Sequence, residues 1–98
     1  TPDNQLPFIP ASEVTSKAAS THLGAELWIV IDNIVYDCSG FVHEHPGGES
    51  IIRNFQGQNC SWQFWRFHGR KELAEFGVGI RVGRTEGIGN RFREPIRY

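Results

Sequence analysis

Methionine is absent from the 98 residues, and cysteine occurs only twice, at Cys38 and Cys60. A chain without Met that starts on Thr1 reads as processed, trimmed or cut from a longer protein. Two cysteines that form no CxxC pair are too few for a disulfide framework, and they leave the redox compartment open. No apolar run comes near the roughly 18 residues of a membrane span, so the chain holds no spanning helix. No signal-peptide pattern, CaaX box or internal repeat is legible in these residues. Net charge is only −1, which argues against a generic nucleic-acid binder.

What is present fits one small folded domain. Apolar residues make up 39% and charged residues 21%, too ordinary a balance for a disordered chain. A chain this short buries only a thin core, so a cofactor or staple is expected to contribute to its stability. Charge is unevenly placed. Residues 1–80 carry 5 basic and 9 acidic groups, a balance of −4. Residues 81–98 carry 5 arginines against Glu86 and Glu94, a balance of +3. Residues 84–98 (RTEGIGNRFREPIRY) are Arg- and Gly-rich, and Gly87, Gly89 and Pro95 oppose a long helix there, so we divide the chain into a domain over 1–83 and a tail or linker over 84–98.

Pro2 and Pro7 oppose helix in an extended lead-in, with a short strand at Phe8-Ile9. Pro10 opens a short helix, because its missing N–H costs nothing in a first turn. Thr21 to Gly24 is a loop. The clearest strand signal is LWIVI at 27–31, which turns at Asp32-Asn33 and returns through Ile34-Val35-Tyr36 as a hairpin. Asp37 to Gly40 is a turn leading to Phe41. Residues 47–56, 59–67 and 70–76 each read as short helices, and 78–82 as a closing strand. The fold class is α+β: a small mixed sheet beside several short helices.

Two histidines stand at the edges of those helices. In FVHEHPGG, Pro46 biases His45 toward extended backbone, and Gly47 and Gly48 leave little bulk beside the imidazole. His68 ends a helix crowded with aromatics, 23 residues further on. Antiparallel helices bring such ends face to face. Zinc requires three or four ligands, and the spacing of Cys38, His45, Cys60 and His68 matches no compact zinc pattern. Haem needs less: two imidazoles saturate the iron, and Phe41, Ile51, Ile52, Phe55, Phe64, Phe67, Leu73 and Phe76 supply apolar walls. Ordinary core packing accounts equally well for that apolar stripe.

The segment LWIVIDNIVYDCSGFVHEHPGGESII, residues 27–52, resembles the cytochrome b5 family, and the similarity runs from about Phe8 to Val82 or Gly83. The resemblance implies a haem-pocket fold holding a noncovalent b-type haem (iron protoporphyrin IX) between two axial histidines. His45 matches the HPGG histidine, and Gly57, Ser61, Phe64 and His68 match the segment bearing the second ligand. The usual Gly before that histidine is absent, and the interval is one residue shorter. By the same matching, Ile31, Cys38, Phe41, Ile51, Ile52, Cys60 and Phe64 line the haem. Phe67 joins them from the apolar stripe, and the Gly48 carbonyl serves the His45 ring N–H. His22 and His43 read as surface residues, and the two cysteines as buried, inert thiols. No CxxCH is present for covalent attachment.

A six-coordinate iron leaves no position for oxygen or substrate, so the resemblance implies one-electron transfer rather than catalysis by the domain alone. The partner is then a separate redox protein, or a neighbouring flavin, molybdenum or oxygenase domain of a larger oxidoreductase. A monomer is expected, either cytoplasmic or excised from a larger protein. The alternative is a non-redox ligand-binding module like the membrane-associated progesterone-receptor proteins, which lack the two-histidine ligation. Trp62 and Trp65 either form an aromatic docking patch or pack against the tail or the sheet, at Ile88 or Phe92.

Overall fold

The computed structural model describes residues 1–19, 25–44 and 48–96, with backbone alone at 43 and 44. His22 and the 21–24 loop, His45, Pro46 and Gly47 lie outside the described residues, as does the side chain of His43.

Three antiparallel strands form the sheet in the order β1 (Trp28–Ile31), β2 (Ile34–Asp37) and β3 (Arg81–Arg84). Asp32 and Asn33 take φ of 49° and 63° between β1 and β2. Left-handed backbone at both central positions is what a two-residue hairpin needs to match strand twist, and Asp and Asn tolerate it. The closing strand starts three residues later than the sequence suggests. Val78–Ile80 is a 3₁₀ turn with Gly79 at its centre, and β3 begins at Arg81. The lead-in also departs from expectation, with a 3₁₀ turn at Asp3–Gln5 held by the Arg81–Asp3 ion pair.

Both sheet edges are covered by chain. Ile9 N–H donates to the Arg84 carbonyl at 2.8 Å and Arg84 N–H to that of Pro7 at 2.9 Å, so Phe8 bridges β3 without forming a full strand. On the other edge, Val30 N–H donates to the Gln58 carbonyl and Cys60 N–H to the Val30 carbonyl. These parallel bridges leave neither edge as an open template for another chain.

Strand alternation divides the interior in two. One face carries Ile29, Ile31, Ile34 and Tyr36, which cluster with Leu27, Cys38, Val42 and Cys60. The other carries Trp28, Val30 and Val35, against Ile9 and Val14. Val14 comes from α1 (Ala11–Ala18), whose first turn follows Pro10. The helices α2 (Glu49–Asn54), α3 (Ser61–Phe67) and α4 (Arg70–Gly77) follow, and the first face is the one on which Ile52, Phe64 and Leu73 pack.

The segment after β3 stays on the body of the domain. Thr85 is buried, and its N–H donates to the Asn33 carbonyl in the hairpin turn. Gly87 bends the chain at φ 77°, and Ile88 packs against the second cluster.

Candidate functional site

His68 is held at the end of α3 by a chain of local bonds. Asn59 Oδ1 accepts the Ser61 N–H at 2.8 Å, which starts the helix by satisfying one of its orphan donors. Ser61 Oγ accepts the Asp32 N–H at 2.8 Å, fastening the helix start to the hairpin turn. The helix ends where His68 takes extended backbone, with its N–H on the Phe64 carbonyl at 2.9 Å. Glu72 then caps α4 by accepting the Gly69 N–H at 3.0 Å.

The exposed imidazole of His68 lies 4.8 Å from the Phe64 ring centroid, at an angle of 31°. Phe64 meets Phe76 at 5.7 Å, and Phe76 meets Phe41 at 5.3 Å. A line of rings therefore runs from His68 along one wall of the first cluster. Beneath it, Ile31, Cys38 and Cys60 are buried, with Phe41 and Ile52 packed on them. Gly48 is also buried, and its carbonyl accepts the Ile52 N–H at 3.0 Å. A carbonyl oxygen has a second lone pair, so that bond leaves one open.

The structure thus brings together Ile31, Cys38, Phe41, Ile52, Cys60, Phe64 and His68. It does not bring Ile51 or Phe67 to the cluster: they are 61% and 78% exposed. Phe76 was absent from the matched lining set yet joins Phe41 to Phe64. Its one sequence signal was membership of the apolar stripe, which does not separate a site wall from ordinary core.

Burial pushes the Cys38 and Cys60 thiols from 9 up to about 12, and the nearby Cys60 adds to the effect on Cys38. Both are free, buried and protonated near neutral pH. Among the described residues no group of three or more His, Cys, Asp and Glu could hold a metal ion.

The thiols also set an alkaline limit on stability. Folded protein keeps these protons between pH 9 and about 12, whereas unfolded chain loses them. Tyr36, pushed from 10 to about 12 mainly by burial, acts the same way. The stabilisation is complete below pH 9 and is lost as pH rises toward 12. Urea midpoints should fall steadily above pH 9. A thiol-specific disulfide reagent at pH 8 should label neither cysteine until urea unfolds the chain, and rapid labelling of native protein would contradict this.

Trp62 and Trp65 each hydrogen-bond to the domain's own chain, and Trp65 also packs against the first cluster. Trp62 Nε1 donates to the Phe92 carbonyl at 3.1 Å, and Trp65 Nε1 to Asp32 Oδ2 at 2.9 Å. Both rings are half-buried, with Arg66 over Trp62 and Arg70 over Trp65. The packing reading holds, at Phe92 for Trp62 and at the hairpin turn for Trp65.

The model of the cytochrome b5-like heme/steroid-binding domain matches residues 11–86. The chain belongs to this family. The cytochrome b5 of Saccharomyces cerevisiae is 37% identical over 71 residues, covering 71% of this chain and 59% of the yeast protein. The NADH nitrate reductase 1 of Phaseolus vulgaris is 36% identical over 55 residues, 53% of this chain and 6% of that enzyme. The chain thus matches less than two thirds of either relative. Among solved structures, the cytochrome b5 of Ostreococcus tauri virus 2 has the same fold, with a TM-score of 0.66 and 24% identity, over 80% of this chain and 95% of that one.

Cytochrome b5 domains bind b-type haem noncovalently and act as electron carriers, alone or within larger oxidoreductases. The described residues fit that group. An imidazole stands at the margin of an apolar, ring-lined wall, the buried thiols are protonated, and the buried members of the cluster carry no formal charge. No helix among the described residues is long and apolar enough to cross a membrane.

Proposed function

We propose that this domain carries single electrons through a b-type haem held between His45 and His68. The observation that carries the reading is His68 at the end of α3, its ring against Phe64 on the margin of a buried apolar cluster. When bound, the haem supplies a one-electron couple. The chain's own residues do the rest. Ile31, Cys38, Ile52 and Cys60 exclude water from one face, and Phe64 limits the orientations open to the His68 ring. His45 and His68 would together hold the iron and would leave it no position for oxygen or substrate, which suits one-electron transfer. The Gly48 carbonyl, with its second lone pair, is the acceptor we assign to the His45 ring N–H.

The partner we assign is another redox protein, or a neighbouring domain if the chain is part of a larger oxidoreductase. Nitrate reductase shows such a domain inside a longer enzyme. With Trp62 and Trp65 engaged on the domain's own chain, docking falls to the surface around the haem edge.

Visible absorption spectra of oxidised and dithionite-reduced protein, with carbon monoxide added last, test the assignment. We expect sharp split bands on reduction that carbon monoxide leaves in place. A shift with carbon monoxide would mean an open axial position, and failure to take up supplied haem would sink the reading altogether.

A further inference from the structure

The segment at 88–92 lies in the stretch that the sequence reads as tail or linker, yet its carbonyls and polar side chains bond to α2, to α3 and to Asn59 just before α3. Asn59, just before α3, donates its N–H to the Gly89 carbonyl at 3.0 Å. The Asn59 side chain reaches the Ile88 carbonyl at 3.4 Å. Asn90 and Gln63 exchange two amide hydrogen bonds, at 3.1 and 2.7 Å. Asn90 Oδ1 also accepts the Phe92 N–H, which turns the segment so that the Phe92 carbonyl receives Trp62 Nε1.

The same five residues hold the end of α2. Arg91 Nη2 donates to the carbonyl of Asn54, the last residue of that helix, at 2.8 Å. The Phe92 ring meets Phe55 edge-on at 5.9 Å. The Arg91 guanidinium satisfies a carbonyl that the helix leaves open, and the Phe92 ring packs beside it. Ile88 anchors the start of the segment in the second cluster, on the opposite side of the sheet from His68.

These contacts matter because α2 follows the HPGG segment and α3 ends at His68. Neither helix is long: six and seven residues. Helices this short are not stable by themselves and take their position from what they pack against. We propose that residues 88–92 are a strap that sets the separation of α2 and α3, and that Asn90 is a positioning residue for His68. The strap lies on the outer side of α3, through Trp62 and Gln63, while Phe64 and His68 occupy the side toward the cluster. This inference rests on the two-histidine reading above for its effect on haem, but not for its effect on α3.

Three versions of the 98-residue chain test it: the unmodified chain, Asn90→Ala, and the exchanged pair Gln63→Asn with Asn90→Gln. In the haem-free state, amide hydrogen exchange over residues 64–68 is expected to quicken roughly tenfold in Asn90→Ala, the scale of two modest hydrogen bonds. Exchange at Val30 and Val35 should stay unchanged. With haem supplied, its transfer to apomyoglobin should quicken by a similar factor and the reduction potential should move. The exchanged pair should recover part of both effects. Equal quickening at Val30 and Val35 would mean a general loss of stability and would overturn the strap, as would unchanged exchange over 64–68. If the unmodified chain takes up no haem or binds carbon monoxide, the two-histidine reading fails instead, and the exchange data still judge the strap.

Discussion

Replacing His68 with alanine is expected to weaken haem retention at least about 100-fold and to let carbon monoxide bind the reduced protein. Loss of a partner that merely orients a metal ligand already costs 10–100-fold, and loss of the ligand itself should cost more. The unfolding midpoint of haem-free protein should scarcely change, because the His68 side chain is exposed and its backbone N–H on Phe64 survives the substitution. His68→Phe separates ligation from packing. It keeps a ring to rest on Phe64 but removes the nitrogens, so it should behave like the alanine variant. Haem affinity preserved in His68→Phe would show that the ring packs and does not ligate. Haem transfer to apomyoglobin measures both variants on one scale.

Gly57→Ala should destabilise the fold by about 2–4 kcal/mol, the sum of a left-handed backbone penalty and local overpacking. Gly57 has φ 71°, where an L side chain is strained whatever the space. A Cβ there would also collide with the Ala18 Cβ at the end of α1. The loop has little freedom to move away, since Gly57 N–H donates to the Trp28 carbonyl at 2.6 Å and the next residues are bonded along β1. Urea unfolding checks this: the midpoint should fall while the slope stays constant. A loss below about 0.5 kcal/mol would show that the loop and α1 separate easily, which would also weaken the account of how α3 is anchored.

The hairpin was legible because its signals are local. LWIVI and IVY are continuous β-branched and aromatic runs bounded by polar residues, and Asp32-Asn33 suits left-handed backbone. The helices before and after His68 were legible for the same reason. The closing strand was displaced by three residues because its start depends on where the 3₁₀ turn at Val78–Ile80 releases the chain, which local pattern does not encode. Phe76 went unmatched because an apolar residue on a helix looks the same whether it faces core or site. Ile51 and Phe67 show the converse: they belong to the apolar stripe, yet the turn of each helix leaves them in solvent.

By itself, the sequence determined the α+β class, the hairpin, the family and the pairing of His45 with His68 as candidates. Each depends on residue type at a fixed short spacing, and such spacing survives in any conformation of the chain. The tertiary structure decided which side chains share a wall, that both thiols are buried and protonated, and that Trp62 rests on the Phe92 carbonyl. It also made a strap of an Arg- and Gly-rich segment with no periodic pattern. The bonds from residues 88–92 to Asn54, Asn59, Trp62 and Gln63 join positions 27 to 37 residues apart. Contacts at that separation exist only after the sheet has closed and placed α2 and α3 side by side, so no local reading of residues 88–92 contains them.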